Sequence, residues 1–114
     1  MSSSIRILGI DPGLCRTGWG VIDAAGDDLR FVASGCIRVP ADGGLPARLG
    51  RIHEELAAVI ARERPQTAAM EIVFLNVNPR TTLLLGQARG AAMACAAVHG
   101  LAVREGYRFP KADS

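Results

Sequence analysis

The sequence predicts an α/β domain built on a mixed sheet, and three observations lead there. The first is a short, nearly continuous apolar run, Ile5, Ile7, Leu8 and Ile10, stopped by Asp11-Pro12-Gly13. A run so rich in β-branched residues suits a strand in the middle of a sheet covered on both faces. The second is the pair of apolar segments that follow, Thr17–Asp23 and Leu29–Val39, set off by turn residues; with the first strand they make a three-stranded antiparallel meander. The third is an amphipathic helix followed by a further apolar strand, because a strand–helix–strand order implies a parallel crossover.

Taken in order, the first strand ends on a carboxylate. Burial would penalise its charged form unless cations or donors compensate, so the opening hairpin is expected to carry one buried acid, Asp11. After a loop at Ala24–Asp28, the residues Phe31, Ala33, Gly35, Ile37 and Val39 alternate with Arg30, Val32, Ser34, Cys36 and Arg38, a strand with one wetter face. Pro40-Ala41-Asp42-Gly43-Gly44 breaks the pattern. Leu45, Leu49, Ile52, Leu56, Val59 and Ile60 then recur in steps of three and four, with Arg48, Arg51, Glu54, Glu55, Arg62 and Glu63 on the other side, which makes a helix covering a sheet. Pro65 stops it, and Ala68–Phe74 reads as the fourth strand. A parallel crossover brings Glu71 up beside Asp11.

Asn76-Val77-Asn78-Pro79-Arg80 reads as a loop, with Thr81 or Thr82 capping a second helix that runs to about His99 and ends at Gly100. Gly86, Gly90, Ala91, Ala92, Ala94, Ala96 and Ala97 make this helix smooth; close packing inside the domain and pairing with a second copy both remain open. Leu101-Ala102-Val103 starts a fifth strand, and Arg104–Ser114 has neither helical nor strand periodicity.

At 114 residues and 49% hydrophobic content the chain supports one core and one domain. A formal net charge of +2, with Lys111 the only lysine, permits nucleic-acid binding without demanding it. Cys15, Cys36 and Cys95 are odd in number and form no CxxC pair, so neither a disulfide framework nor a zinc site is indicated and the cytoplasm fits best. Met1-Ser2-Ser3-Ser4 is no secretory signal. No apolar run approaches the roughly 18 residues of a membrane span.

Asp11 and Glu71 are acids at strand positions in apolar surroundings. Singly, Asp11 could cap its own turn and Glu71 could face solvent from an edge. Paired on adjacent strand ends, they are the oxygen ligands that Mg²⁺ or Mn²⁺ prefers, and two such ions can activate a water and stabilise a leaving oxygen. Two acids alone are too few for two ions. His53 and His99 read as packing and capping residues. Gly18-Trp19-Gly20 fits neither the dinucleotide fingerprint nor a Walker loop. Phe74, Asn76, Asn78, Arg80, Gln87 and Arg89 surround the loop after Glu71, a set able to stack on an unpaired base and touch phosphates; Phe74 as the last core residue of its strand is the plainer reading.

Ile7-Leu8-Gly9-Ile10-Asp11-Pro12-Gly13, Thr17-Gly18-Trp19-Gly20-Val21-Ile22, Leu45-Pro46-Ala47-Arg48-Leu49, Glu71-Ile72-Val73-Phe74 and above all the run from Asn78 through Leu85-Gly86-Gln87-Ala88-Arg89-Gly90 resemble the bacterial RuvC Holliday junction resolvases. The resemblance implies a ribonuclease H-like fold, a homodimer paired through the helix from Thr82 to His99, Mg²⁺-dependent nicking of four-way junctions in recombination and repair, and partnership with the RuvA–RuvB motor. It makes Asp11 and Glu71 catalytic metal ligands, and Phe74 the aromatic used at the junction. Asn78, Arg80, Gln87 and Arg89 are the expected DNA contacts. The likeness stops near Arg104 or Glu105, where family members continue with a basic stretch and a final helix bearing further carboxylates. The expected organisation is therefore a domain over 1–105 lacking its C-terminal part and a non-matching tail over 106–114. Such a chain is expected to cut slowly or not at all, and a non-cleaving junction-binding module is the alternative. An actin-like phosphotransferase lobe is a weaker rival, since those too open on a strand ending in Asp-x-Gly.

Overall fold

The structure, a computed structural model, describes residues 3–13, 15–39, 42–71 and 78–106. Five strands and two helices follow one another as β1 (Ile5–Asp11), β2 (Arg16–Ala25), β3 (Asp28–Arg38), α1 (Gly44–Glu63), β4 (Thr67–Glu71), α2 (Pro79–Val98) and β5 (Ala102–Gly106). The strands form one mixed sheet in the order β3-β2-β1-β4-β5. β1 lies at its centre, antiparallel to β2 and parallel to β4, as its apolar run predicts. β5 extends three residues past Val103 and pairs with β4 through Arg104, Glu105 and Gly106. Here ladder pairing carries a stretch without periodicity of its own.

The connections β3–α1–β4 and β4–α2–β5 both move the same way across the sheet. Right-handed crossovers then put both helices on the same face. That face holds the core. Leu8, Ile10, Val21, Ile37, Ala68 and Met70 of the sheet meet Ile52, Leu56, Val59 and Ile60 of α1 and Ala88, Ala92, Cys95 and Ala96 of α2. The stripe predicted for α1 is thus the buried one in its C-terminal two-thirds. In α2, the small residues along one side let the helix sit close to α1 and the sheet, while Leu83, Gly86, Gly90, Ala94, Ala97 and Val98 remain exposed. Arg6 pins α1 to the sheet from below. Its guanidinium takes Asp23 across the β1–β2 ladder with bonds of 2.8 and 2.9 Å and donates to the Glu63 carbonyl at 2.9 Å, a cation at a helix C-terminus.

The other face corrects two expectations. Among the described residues no helix covers it, so β1 is central but covered on one side only. β3 also departs from strict alternation. The register jumps between Val21, opposite Ala33, and Ile22, opposite Phe31. The extra residue, Val32, makes a bulge that reverses which side successive residues take. Ile37 stays in the core, whereas Leu29 and Phe31 lie on the uncovered side, each 69% exposed.

Helix α2 starts earlier than the sequence suggests. Asn78, not Thr81 or Thr82, is the N-cap. Its side-chain oxygen accepts from the backbone N–H groups of Arg80 at 2.9 Å and Thr81 at 3.2 Å, and Pro79 fills the first helical position, where its missing N–H costs nothing.

Candidate functional site

The site predicted around Asp11 and Glu71 is set by backbone register. In the parallel β1–β4 ladder Ile10 is paired with Met70. The next residue of each strand is an acid, so Asp11 and Glu71 follow at the same level at the C-terminal edge of neighbouring strands. Glu71 is also held from the other side, where it pairs with Gly106 of β5. Asp11 pairs across β2 with Gly18, where a Cβ would come 4.0 Å from the Cβ of Asp11, an ordinary contact.

Asp11 is exposed, which corrects the expectation of a buried acid. The cause is the uncovered sheet face. Gly9, Gly18 and Gly20 floor a trough of about 570 Å³ there, flanked by Ile7, Ile22 and Ala69, and Asp11 stands at one end of it. Among the described residues no cation or donor pairs with its carboxylate. An accessible, uncommitted carboxylate with a second acid at the adjacent register position is a fitting oxygen donor set for a hard divalent ion. Among the described residues no three His, Cys, Asp or Glu side chains converge, so the donor set is partial.

The predicted DNA contacts divide into two groups. Asn78 and Arg80 open α2, at the same end of the sheet as the two acids; Arg80 is exposed and Asn78 spends its Oδ1 on the helix. Gln87 and Arg89 lie two turns or more further along α2, Arg89 about 13 Å below Arg80 by helical rise. Both are half-buried. Arg89 meets Glu105 of β5 with Nη2–Oε1 of 3.3 Å, while Gln87 Oε1 and Arg89 Nε are buried without a partner. Phe74 and Asn76 lie outside the described residues.

The fold also joins residues that the sequence keeps apart. His53 of α1 and His99, which closes α2, stand with ring centres 6.3 Å apart. Each reads from its own helix as a packing or capping residue, and no signal in either helix reveals the pairing, which arises only from how α1 and α2 pack.

Comparison with known proteins agrees with the family resemblance and the fold. The family model for Crossover junction endodeoxyribonuclease RuvC matches residues 7–108. A protein of that description from Neisseria meningitidis serogroup A is 54% identical over 105 residues, which are 92% of this chain and 59% of the relative. One from Bordetella petrii is 60% identical over 101 residues, 89% of this chain and 56% of the relative. Among solved structures, T. thermophilus RuvC in complex with Holliday junction substrate superposes with a TM-score of 0.84 at 28% identity, covering 91% of this chain and 64% of that one. The chain therefore spans about three fifths of the length of the relatives it matches.

Proposed function

Because the chain belongs to the RuvC family of crossover junction endodeoxyribonucleases and has its ribonuclease H-like fold, we propose that it grips four-way junction DNA and holds part of a divalent-metal nuclease site. What carries the reading is the register that sets Asp11 and Glu71 at one level of adjacent parallel strands. In this reading both carboxylates are metal ligands. The ion, Mg²⁺ with Mn²⁺ as substitute, supplies Lewis-acid activation of water and charge neutralisation at the phosphodiester.

The chain's own residues do the positioning. Phe74 stacks on a base unpaired at the junction centre. Arg80 and the amide NH₂ of Asn78 meet phosphates at the acid-bearing end of the sheet. Gln87 and Arg89 complete the DNA-facing set; the ion pair that holds Arg89 ends on a carboxylate 53% exposed, a weak tie that a phosphate can replace. The exposed small-residue side of α2 pairs two copies, so that two sites address the two strands of a symmetric junction. Partnership with the RuvA–RuvB motor and a cytoplasmic setting are part of the same proposal.

With Asp11 and Glu71 as the only candidate metal-binding acids among the described residues, the chain alone is expected to cut slowly or not at all. Gel-shift assays in EDTA, comparing four-way with linear DNA, test the grip: preference for the junction, unchanged in Asp11→Asn, is expected. Equal affinity for both DNAs would end the junction reading. Efficient Mg²⁺-dependent nicking by the purified chain would contradict the incomplete site.

A further inference from the structure

We propose that His53 and His99 form a separate cation site, a cross-helix clamp for a borderline-soft divalent ion of the Zn²⁺ class. They are the chain's only two histidines. Their ring centres lie 6.3 Å apart with the planes tilted by 51°, which is not a stacked arrangement. Two imidazoles that share one ion at a Zn–N distance of 2.0–2.1 Å place their ring centres about 5 Å apart at the tetrahedral angle and about 6.5 Å apart when opposed. The observed spacing lies near the opposed end of that interval, so the two exposed rings close by about 1 Å to hold an ion at the tetrahedral angle.

The second observation concerns the proton. His99 Nδ1 lies 2.7 Å from the Cys95 carbonyl oxygen, and a carbonyl has no proton to give. Nδ1 is therefore the donor, which in the neutral ring leaves the lone pair on Nε2. A ring nitrogen donated to a backbone carbonyl, with the other left as a base, is the outer-sphere arrangement that orients a metal-binding histidine. Both histidines are exposed, so an ion can reach them. Cys95 is not part of the set. It is fully buried, burial pushes its thiol pKa up, and its Sγ faces the His53 carbonyl at 3.4 Å.

Among the described residues no third His, Cys, Asp or Glu converges, so water completes the coordination. Two nitrogens select Zn²⁺ over Mg²⁺, which takes oxygen ligands. The site is also remote from Asp11: His99 closes the end of α2 that leads into the first residue of β5, opposite the end where the two acids stand. An ion bound there ties α1 to α2 across an interface made largely of small residues.

The test is a Zn²⁺ titration of a Cys15→Ser/Cys36→Ser background, which lacks the two exposed thiols, followed by the Hε1 and Hδ2 NMR resonances of the two rings. Both rings are expected to shift on one isotherm at one equivalent, with Zn²⁺ raising the melting temperature. His53→Gln should weaken Zn²⁺ binding at the His99 ring at least about tenfold and abolish the thermal shift. Separate isotherms, or an unchanged affinity at His99 after His53→Gln, would overturn the proposal. His53 is exposed and its side chain makes no hydrogen bond among the described residues, so this arm does not depend on His99→Gln folding. No DNA or Mg²⁺ is present, so the outcome is independent of the nuclease reading.

Discussion

Gly35 on β3 has no room for a side chain, and the reason is Trp19. An ideal Cβ at Gly35 would stand 2.7 Å from Trp19 Cζ2, 2.8 Å from Cε2 and 2.9 Å from Nε1. Ordinary contact begins at 3.4 Å, so the ring would have to retreat by 3.4 minus 2.7, about 0.7 Å. It has little freedom to do so. Trp19 packs against the core, and the Arg62 guanidinium carbon lies 5.7 Å from the ring centre, a cation on the aromatic face. Overpacking of this kind costs about 1–3 kcal/mol. At about 4–8 °C per kcal/mol for a domain near this size, Gly35→Ala should lower the melting temperature by roughly 5–20 °C. Trp19 is the only tryptophan, so its emission reports the ring alone and should shift in the folded variant. The disturbance reaches the site, because Trp19 pairs with Ile10, the residue before Asp11. A melting temperature within about 2 °C of wild type together with unchanged emission would refute the claim that the indole lies on Gly35.

Asn78→Ala removes the cap of α2 and should cost about 1 kcal/mol in thermal or urea unfolding; Asn78→Ser should recover most of it, and equal stability of all three proteins would exclude the capping role. The hydrogen bond and charge of Arg6 hold the Asp23 carboxyl below its usual pKa, so its contribution is complete above the unfolded value and is lost as pH falls through the folded one. The melting-temperature gap between wild type and Asp23→Asn should therefore narrow below about pH 4, and a gap that stays constant down to pH 2 would contradict the linkage. Cys15 and Cys36 are exposed and Cys95 is buried; a thiol reagent should label two sites quickly and the third only on unfolding, whereas three fast sites would show that α2 does not seat Cys95 in the core.

What the sequence makes legible is whatever a local period or a turn encodes. The stripe from Ile52 to Ile60, the centrality of Ile5–Ile10 and the crossover that aligns position 71 with position 11 all follow from spacing and handedness. Features that depend on a partner strand or helix stay hidden. The bulge at Val32 depends on the register with β2 and inverts the side taken by Phe31, although the local alternation reads correctly from Ala33 to Ile37. Asn78 lay inside what reads as a Pro-containing loop, yet a proline is welcome at the first helical position, and the cap falls one residue before it. The exposure of Asp11 escapes because an apolar run predicts a strand covered on both faces, while both crossovers run in one direction and, among the described residues, leave one face uncovered. Arg104–Gly106 joins the sheet through β4 rather than through its own composition.

The uncovered side has a colloidal consequence. Ile5, Leu29 and Phe31, each at least 50% exposed, cluster near the β2–β3 turn, and strand alternation sends the neighbouring charges Asp28 and Arg30 to the opposite face, where Arg30 pairs with Asp23. In concentrated solution the charges flanking Leu29 and Phe31 in the strand therefore do little to oppose strand-on-strand sticking of the patch. Handling the protein therefore calls for dilute solution and freedom from salting-out anions, which strengthen burial of a greasy patch between copies.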